Sequence, residues 1–330
     1  MTIYAAAGDL DSAVMTAGTL ETWTSATYHD SAYTNYAVAF HPARTGYIDL
    51  AATASEFWFH MHWLFDSWLS GTADAVTFSL GSSLEYKIEV VGGSPTSTLN
   101  LRKTTNGSTW TTIVSWIMTS SGNPVVDLDV HLKPHATLGA ADVYINGTLV
   151  ASVSGVNTMA QTSTINRLSF TSVNSGSYLM LSELAVADVP TIGWRVLSLL
   201  PNASGQYSEF TGAYTGIDEM IADDADFIIS NTTSQRHLVN LQDPNTSTVG
   251  SREIKALVVN SRGAISIDSA PTDMQHGLRS NSSDYYTANL GHVADAAVRV
   301  KTTIYELNPS TSAKFTLAEA AAVQVGVKAV

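Results

Sequence analysis

The chain has 330 residues, enough for two ordinary domains that each bury a core. Its net charge of −13, with only 16 Lys and Arg, excludes the basic footprint of a nucleic-acid binder and disfavours anionic membrane surfaces. It has no cysteine, so disulfides, thiolate catalysis and zinc–thiolate sites are excluded.

Charged residues make up only 14% of the chain, against roughly 25% in typical soluble domains. Ser, Thr, Asn and Gly take their place, which favours extended, turn-rich structure. The start, Met1 to Asp9, lacks the basic and apolar regions of a secretory signal, so synthesis in a cytoplasm is expected. No apolar run approaches the roughly 18 residues of a membrane span, and no membrane insertion is expected.

Residues 1–30 read as a strand-poor lead-in, with Tyr4, Trp23 and Tyr28 as anchors. Short strands at Tyr36–Phe40 and Gly46–Leu50 flank a turn at Pro42. The most apolar stretch follows at Phe57–Phe65. Its odd positions (Phe57, Phe59, Met61, Trp63, Phe65) form an apolar face, and Trp58, His60, His62 and Leu64 form the other. Further strands are predicted at Val76–Leu80, Tyr86–Val91, Thr98–Lys103, Trp110–Trp116 and Val125–Leu132. Asn146-Gly147, between two β-branched runs, is a type I′ hairpin signal, because that turn needs positive φ at both central residues. Strands at Thr164–Ser172 and Ser177–Asp188 complete a pattern of short, turn-punctuated elements, that of an antiparallel sandwich over residues 1–190.

Residues 191–207, with Trp194, Val196, Leu199 and Leu200, are too apolar for a free linker and read as a docked connector. A second, smaller β-sandwich is expected over 208–330. Its strands are predicted at Asp226–Ser230, Gln235–Leu241, Ile254–Ser261, Asp284–Thr287, Arg299–Leu307 and Val323–Val330, with Ile254–Ser261 apolar enough to be central. Thr316–Val323 has helix propensity.

Several constellations bear on chemistry. His60 and His62 lie two apart on one strand face, a spacing that can bring two imidazoles to one metal, with Asp127, Asp129 or His131 as a third ligand. The alternative is a pair of hydrogen-bonded histidines on a sandwich face. Trp58, His60 and His62, with Trp63, Trp68, Trp110 or Trp116, can build an aromatic carbohydrate-binding face, against the plainer reading of core packing. Asp218, Glu219, Asp223, Asp224 and Asp226 form an acidic cluster, weak metal candidates because the EF-hand order is missing. No Glu-x-Asp-x-x-Glu strand, Gly-x-Ser-x-Gly elbow, phosphate loop or His-Glu-x-x-His occurs. No enzyme and no cofactor are expected.

The stretch Tyr36 to Asp188 resembles a laminin-G-like, or concanavalin-A-like, jelly roll. The resemblance is carried by the aromatic strand Trp58–Phe65, Asp127-Leu-Asp-Val-His131, the hairpin Asp142–Val150 and the closing strand Leu181–Asp188. Val189–Val196, Leu200–Phe210, Ile254–Asn260 and Leu307–Phe315 resemble the second half of tailed-bacteriophage virion proteins that follow such a domain with a smaller β domain. The resemblance implies a non-enzymatic head or tail fibre, spike or capsid decoration protein. Its implied partners are other virion proteins, copies of itself (a homo-oligomer, a trimer first) and a host-surface glycan. A free lectin or glycan-active enzyme on the same fold is the alternative.

Overall fold

A computed structural model describes residues 1–7, 14–17, 22–23, 33–34, 37–40, 45–65, 71–93, 96–119, 125–171, 179–219, 225–244, 249–267 and 270–330. The chain divides into two units, Met1–Val196 and Leu197–Val330.

The first unit contains β1 (Ile3–Ala7), β2 (Val14–Ala17), β3 (Thr22–Trp23), β4 (Ala37–Phe40) and β5 (Thr45–Ala54). These are followed by β6 (Phe57–Phe65), β7 (Gly71–Leu80), β8 (Ser83–Gly93), β9 (Thr96–Thr104) and β10 (Trp110–Thr119). Then come β11 (Val125–Lys133), β12 (Gly139–Ile145), β13 (Thr148–Val156), β14 (Ile165–Phe170) and β15 (Leu179–Ala187). They form two antiparallel sheets. One runs β13-β12-β11-β6-β15-β4-β3, with β1 also on β15, and the other runs β10-β9-β8-β7-β14-β5-β2.

The alternation of β6 explains how the sheets meet. Phe57, Phe59, Met61 and Trp63 enter one core with Leu128 and Val130 of β11. Phe78, Tyr86, Ile88, Leu101 and Phe170 enter it from the opposite sheet. Phe57 and Phe59 each meet Phe78 at 5.6 Å between ring centres. Burying a side chain of this size stabilises by roughly 1.5–3 kcal/mol, so the aromatic strand is a principal bond between the layers. The hairpin turn falls at Asn146 (φ 49°) and Gly147 (φ 75°), as its sequence predicts.

Residues 1–30 are not strand-poor where they are described, since they supply β1, β2 and β3. β1 lies along the lower half of β15, where Ile3, Ala5 and Ala7 are buried. Alternating alanine is too weakly apolar to announce a strand. Tyr28, Pro42 and Trp68 lie outside the described residues.

The second unit contains β16 (Pro201–Ser208), β17 (Arg236–Leu241), β18 (Leu257–Gly263), β19 (Met274–Ser280), β20 (Ser283–Tyr286), β21 (Arg299–Tyr305) and β22 (Gln324–Ala329). A single turn-and-a-half of helix, α1 (Leu317–Ala322), is closed by a Thr316/Glu319 capping box. β16-β17-β22-β19-β20 form one sheet and β18-β21 a second. Leu278, Phe315 and Val323 pack with Leu257 and Tyr305 between them, a smaller sandwich.

Three expectations for this half change. The later part of the read connector, Pro201–Ser208, is an edge strand paired to β17. Ile254–Ser261 is not central, because among the described residues β18 pairs only with β21. Asp226–Ser230 forms no strand, only a bridge from Ile229 to Thr211. β19 escaped the sequence reading because Gly277 interrupts it. That glycine is required by packing, since a Cβ there would lie 2.9 Å from the Tyr286 ring.

His276 joins the two layers. Its ring is fully buried, with Nδ1 2.7 Å from the Thr303 hydroxyl and Nε2 2.7 Å from the Ser261 hydroxyl. Burial, reinforced by repulsion from His292, pushes its pKa down to about 4. The unfolded chain therefore takes up this proton near pH 6.5 and the folded chain only near pH 4. The stability it confers is complete above the unfolded value and is lost as pH falls through that window, on the order of 3 kcal/mol. His237 and His292 are shifted the same way by burial. All seven tryptophans lie in the first unit. Urea unfolding read by circular dichroism should thus weaken from pH 7 to pH 4 more than unfolding read by tryptophan fluorescence. His276→Gln should flatten that acid slope, and an unchanged slope would refute the assignment.

Candidate functional site

Each sheet of the first unit has one face turned away from the shared core. On the sheet holding β6 that face carries Trp58, His60 and His62, directly opposite His131, Asp129 and Asp127 of β11. The facing residues pair off. His60 Nδ1 lies 3.0 Å from Asp129 Oδ1, His62 Nδ1 2.8 Å from Asp127 Oδ1, and His131 Nδ1 3.0 Å from Asp142 Oδ2. Burial works to raise the Asp127 carboxyl, but the His62 hydrogen bond and the charges of His60, His62 and Arg195 hold it below its usual range.

A returning segment covers part of this face. Thr191 donates its hydroxyl to Asp129 Oδ1 at 2.7 Å. Arg195 forms a bidentate pair with Glu183, with Nε donating to Oε2 at 2.7 Å, and its guanidinium lies 4.0 Å over the Tyr33 ring. Glu183 is fully buried at φ 52° in a bulge of β15, so the strand gives up regular pairing to aim this acid at Arg195. His60 and Asp129 are fully buried as well, and Trp58 stacks on His131 with ring centres 4.7 Å apart.

The expected carbohydrate-binding residues sit on this face. Trp58, His60 and His62 do share one face; His60 is fully buried, Trp58 is largely covered and stacked on His131, and His62 is partly exposed. The imidazoles do not converge on one metal, because each faces its own aspartate. Among the described residues no group of three His, Asp or Glu side chains is placed to hold a metal ion. Trp63 and Trp116 belong to the core. Asp226 is exposed with its carboxylate against Gly216, and Asp223 and Asp224 lie outside the described residues.

The outer face of the other sheet is different. One row of facing residues crosses six strands: Tyr47, Ser169, Thr77, Lys87, Arg102 and Thr112. Asp49, Arg167 and Ser79 form the row on one side, and Asp74, Glu89, Asn100 and Ser115 that on the other. Lys87 and Arg102, two cations directly opposite each other, are bridged by Glu89, which accepts from Lys87 Nζ at 2.9 Å and from Arg102 Nη1 at 2.7 Å. Asp74 takes Lys87 at 2.7 Å. Burial acts to raise the Glu89 carboxyl, yet the hydrogen bonds and charges of Lys87 and Arg102 hold it low.

Aromatic rings stand at both ends of this row. Lys87 Nζ lies 4.6 Å over the Trp110 ring, and Arg102 donates to the Trp110 carbonyl at 2.8 Å. Arg167 lies 3.6 Å over the Tyr47 ring and holds Asp49 by two bonds. Between the ends, the Thr77 and Ser169 hydroxyls form a floor. Three strand spacings separate Tyr47 from Lys87, about 14 Å. Trp110 was among the sequence candidates, but Tyr47, Lys87, Glu89 and Arg102 were not, because no local motif links four different strands. The face is charge-balanced and held by its own ion pairs, with Lys87 and Glu89 buried in it and Tyr47, Ser169, Thr77, Arg102 and Trp110 partly exposed, so it offers fixed donors, acceptors and ring surface without further ordering cost.

No protein-family model matches the chain, and no curated protein matches it. Among solved structures, the T. cruzi calreticulin globular domain is similar at a TM-score of 0.42 and 8% identity, over 58% of this chain and 89% of that one. The binding domain of Botulinum Neurotoxin DC in complex with SialylT gives 0.40 and 10%, over 91% and 74%. The legume lectin-like domain from Entamoeba histolytica gives 0.36 and 8%, over 55% and 92%.

Glu89 is the acid on which the row depends. Glu89→Gln leaves Lys87 and Arg102 facing each other with one charge fewer between them, and should destabilise the first unit by about 1–3 kcal/mol. Because its folded carboxyl is depressed, the difference from wild type should be full at neutral pH and shrink as pH falls below the usual carboxylate range. Urea titrations read by tryptophan fluorescence at two pH values test both points.

Proposed function

We propose that this chain is a non-enzymatic structural component of a tailed-bacteriophage particle. It is fixed to head or tail, and its first unit holds a host-surface glycan. The observation that carries the glycan part is the outer-face row from Tyr47 to Arg102 with Trp110 beside it, partly exposed at Tyr47, Ser169, Thr77, Arg102 and Trp110 around a buried Lys87–Glu89 pair. A sugar presents alternating hydroxyls and an apolar CH face. Paired carboxylates and guanidiniums satisfy the first, and ring surface the second. The width of the row fits a glycan chain lying across strands better than a single terminal residue. Charge balance on the row favours a neutral sugar.

The non-enzymatic part is supported by how the acids are committed. Asp127 and Asp129 each engage a histidine, Asp129 without solvent contact, and Glu89 is locked between two cations. A glycosidase needs two carboxyl groups free to face one glycosidic bond. The virion part is supported by the sequence resemblance of Val189–Val196, Leu200–Phe210, Ile254–Asn260 and Leu307–Phe315. Many copies on one particle turn weak single-site binding into firm attachment.

Two measurements test this. On an array of neutral oligosaccharides the protein should retain a subset, and Trp110→Ala or Arg102→Ala should weaken retention roughly ten-fold or more. Retention without loss in either variant removes the row as the site, and release of shortened sugar from a bound polysaccharide would show an enzyme. Mass spectrometry of purified phage particles should detect this chain. Its absence from them, with glycan binding intact, would favour a free lectin.

A further inference from the structure

The outer face of the five-stranded sheet in the second unit repeats one feature of the first unit's row and omits another. Arg236 of β17 and Lys328 of β22 are directly opposite each other, as Lys87 and Arg102 are. Like charges in facing positions destabilise a sheet unless something lies between them. In the first unit that something is Glu89. In the second it is missing. Arg236 turns away, stacking 3.5 Å over Tyr207 and donating to Glu209 at 3.1 Å, with Asp284 at 3.8 Å. Asp284 is further occupied by Arg279 and by the Tyr207 hydroxyl at 2.7 Å.

Lys328 is left over. Its ammonium lies 5.1 Å from the Tyr286 ring, and no carboxylate among the described residues pairs with it. The Tyr286 hydroxyl beside it is covered and lies against the Arg236 guanidinium. Three cations (Arg236, Arg279 and Lys328) thus meet two acids (Glu209 and Asp284), one positive charge in surplus within a chain of net charge −13. Tyr207 and the acids hold the two arginines in fixed positions, so an incoming anion finds donors already oriented.

We infer that this face of the second unit binds a carboxylate carried by an acidic glycan, with Lys328 as its direct partner and Arg236 and Arg279 supplying the surrounding positive field. The choice of a sugar as carrier rests on the glycan reading above; the need for an anion does not.

Calorimetric titration of the full chain with a galacturonate trisaccharide tests it, with maltotriose as the neutral arm. Uronate binding should weaken as sodium chloride is raised. Lys328→Gln should weaken it roughly ten-fold or more, and Lys328→Arg should keep most of it. Equal uronate affinity in wild type and Lys328→Gln, both with unchanged thermal unfolding, overturns the proposal. Displacement of the uronate by sodium sulfate as readily as by free galacturonate reduces the site to a general anion patch and overturns the carboxylate assignment. Failure of neutral sugars alone touches only the first unit's site.

Discussion

Antiparallel pairing sets the side chains of facing residues about 5 Å apart on one side of a sheet. A charge on an outer face therefore meets whatever stands opposite, whether or not the two suit each other. Both units of this chain are shaped by that constraint. The inner faces are settled by hydrophobic packing, which is non-directional and tolerant. The outer faces must be settled residue by residue, and this chain settles them with three devices: histidine opposite aspartate, cation opposite cation with an acid between, and cation over tyrosine or tryptophan.

The two outer faces of the first unit show what those devices do for access. Where His60, His62 and His131 face aspartates, the returning segment adds Thr191 and Arg195, and most polar atoms are paired within the protein, with His60 Nε2 and Asp129 Oδ2 buried and unpartnered. Such a network rigidifies and leaves little for a ligand to replace. Where Lys87 and Arg102 share Glu89, Lys87 and Glu89 are buried and Arg102 stays partly exposed. Tyr47, Thr77, Ser169 and Trp110 around them are partly exposed on the same face. Sequence alone could not separate these cases, because Trp58-Phe-His-Met-His62 looks richer in chemistry than Thr77, Lys87 or Ser169.

How much was legible follows from the range of each signal. The hairpin at Asn146-Gly147 and the odd–even split of Phe57–Phe65 are set by neighbours within a few residues, and both were readable. The capping box at Thr316 and Glu319 is equally local. β1 and β19 were not readable, since Ala5, Ala7 and Gly277 carry almost no periodic signal and acquire meaning only from Leu184 to Ala187, Leu238 and Tyr286 across the fold. The Asp129 carboxylate that His60 engages also takes the hydroxyl of Thr191, more than sixty residues later. The row from Tyr47 to Arg102 is assembled from β5, β14, β7, β8 and β9, so it exists only once register is fixed.

Register also explains why the two units are suited to different ligands despite sharing one surface grammar. Glu89 sits two residues from Lys87 on the same strand, so the pleat returns its carboxylate to the side on which the facing cations crowd. On β22 the residue two before Lys328 is Gly326, and a Cβ there would lie 2.0 Å from the His237 carbonyl oxygen. Close packing of β22 against β17 thus forbids a side chain at one of the two same-face positions beside Lys328, and the other, Val330, is apolar. The surplus charge on that face follows from the backbone approach that holds the sheet together. A neutral row on one unit and a cationic patch on the other are two outcomes of one rule, decided by whether an acid stands two residues away on the same face.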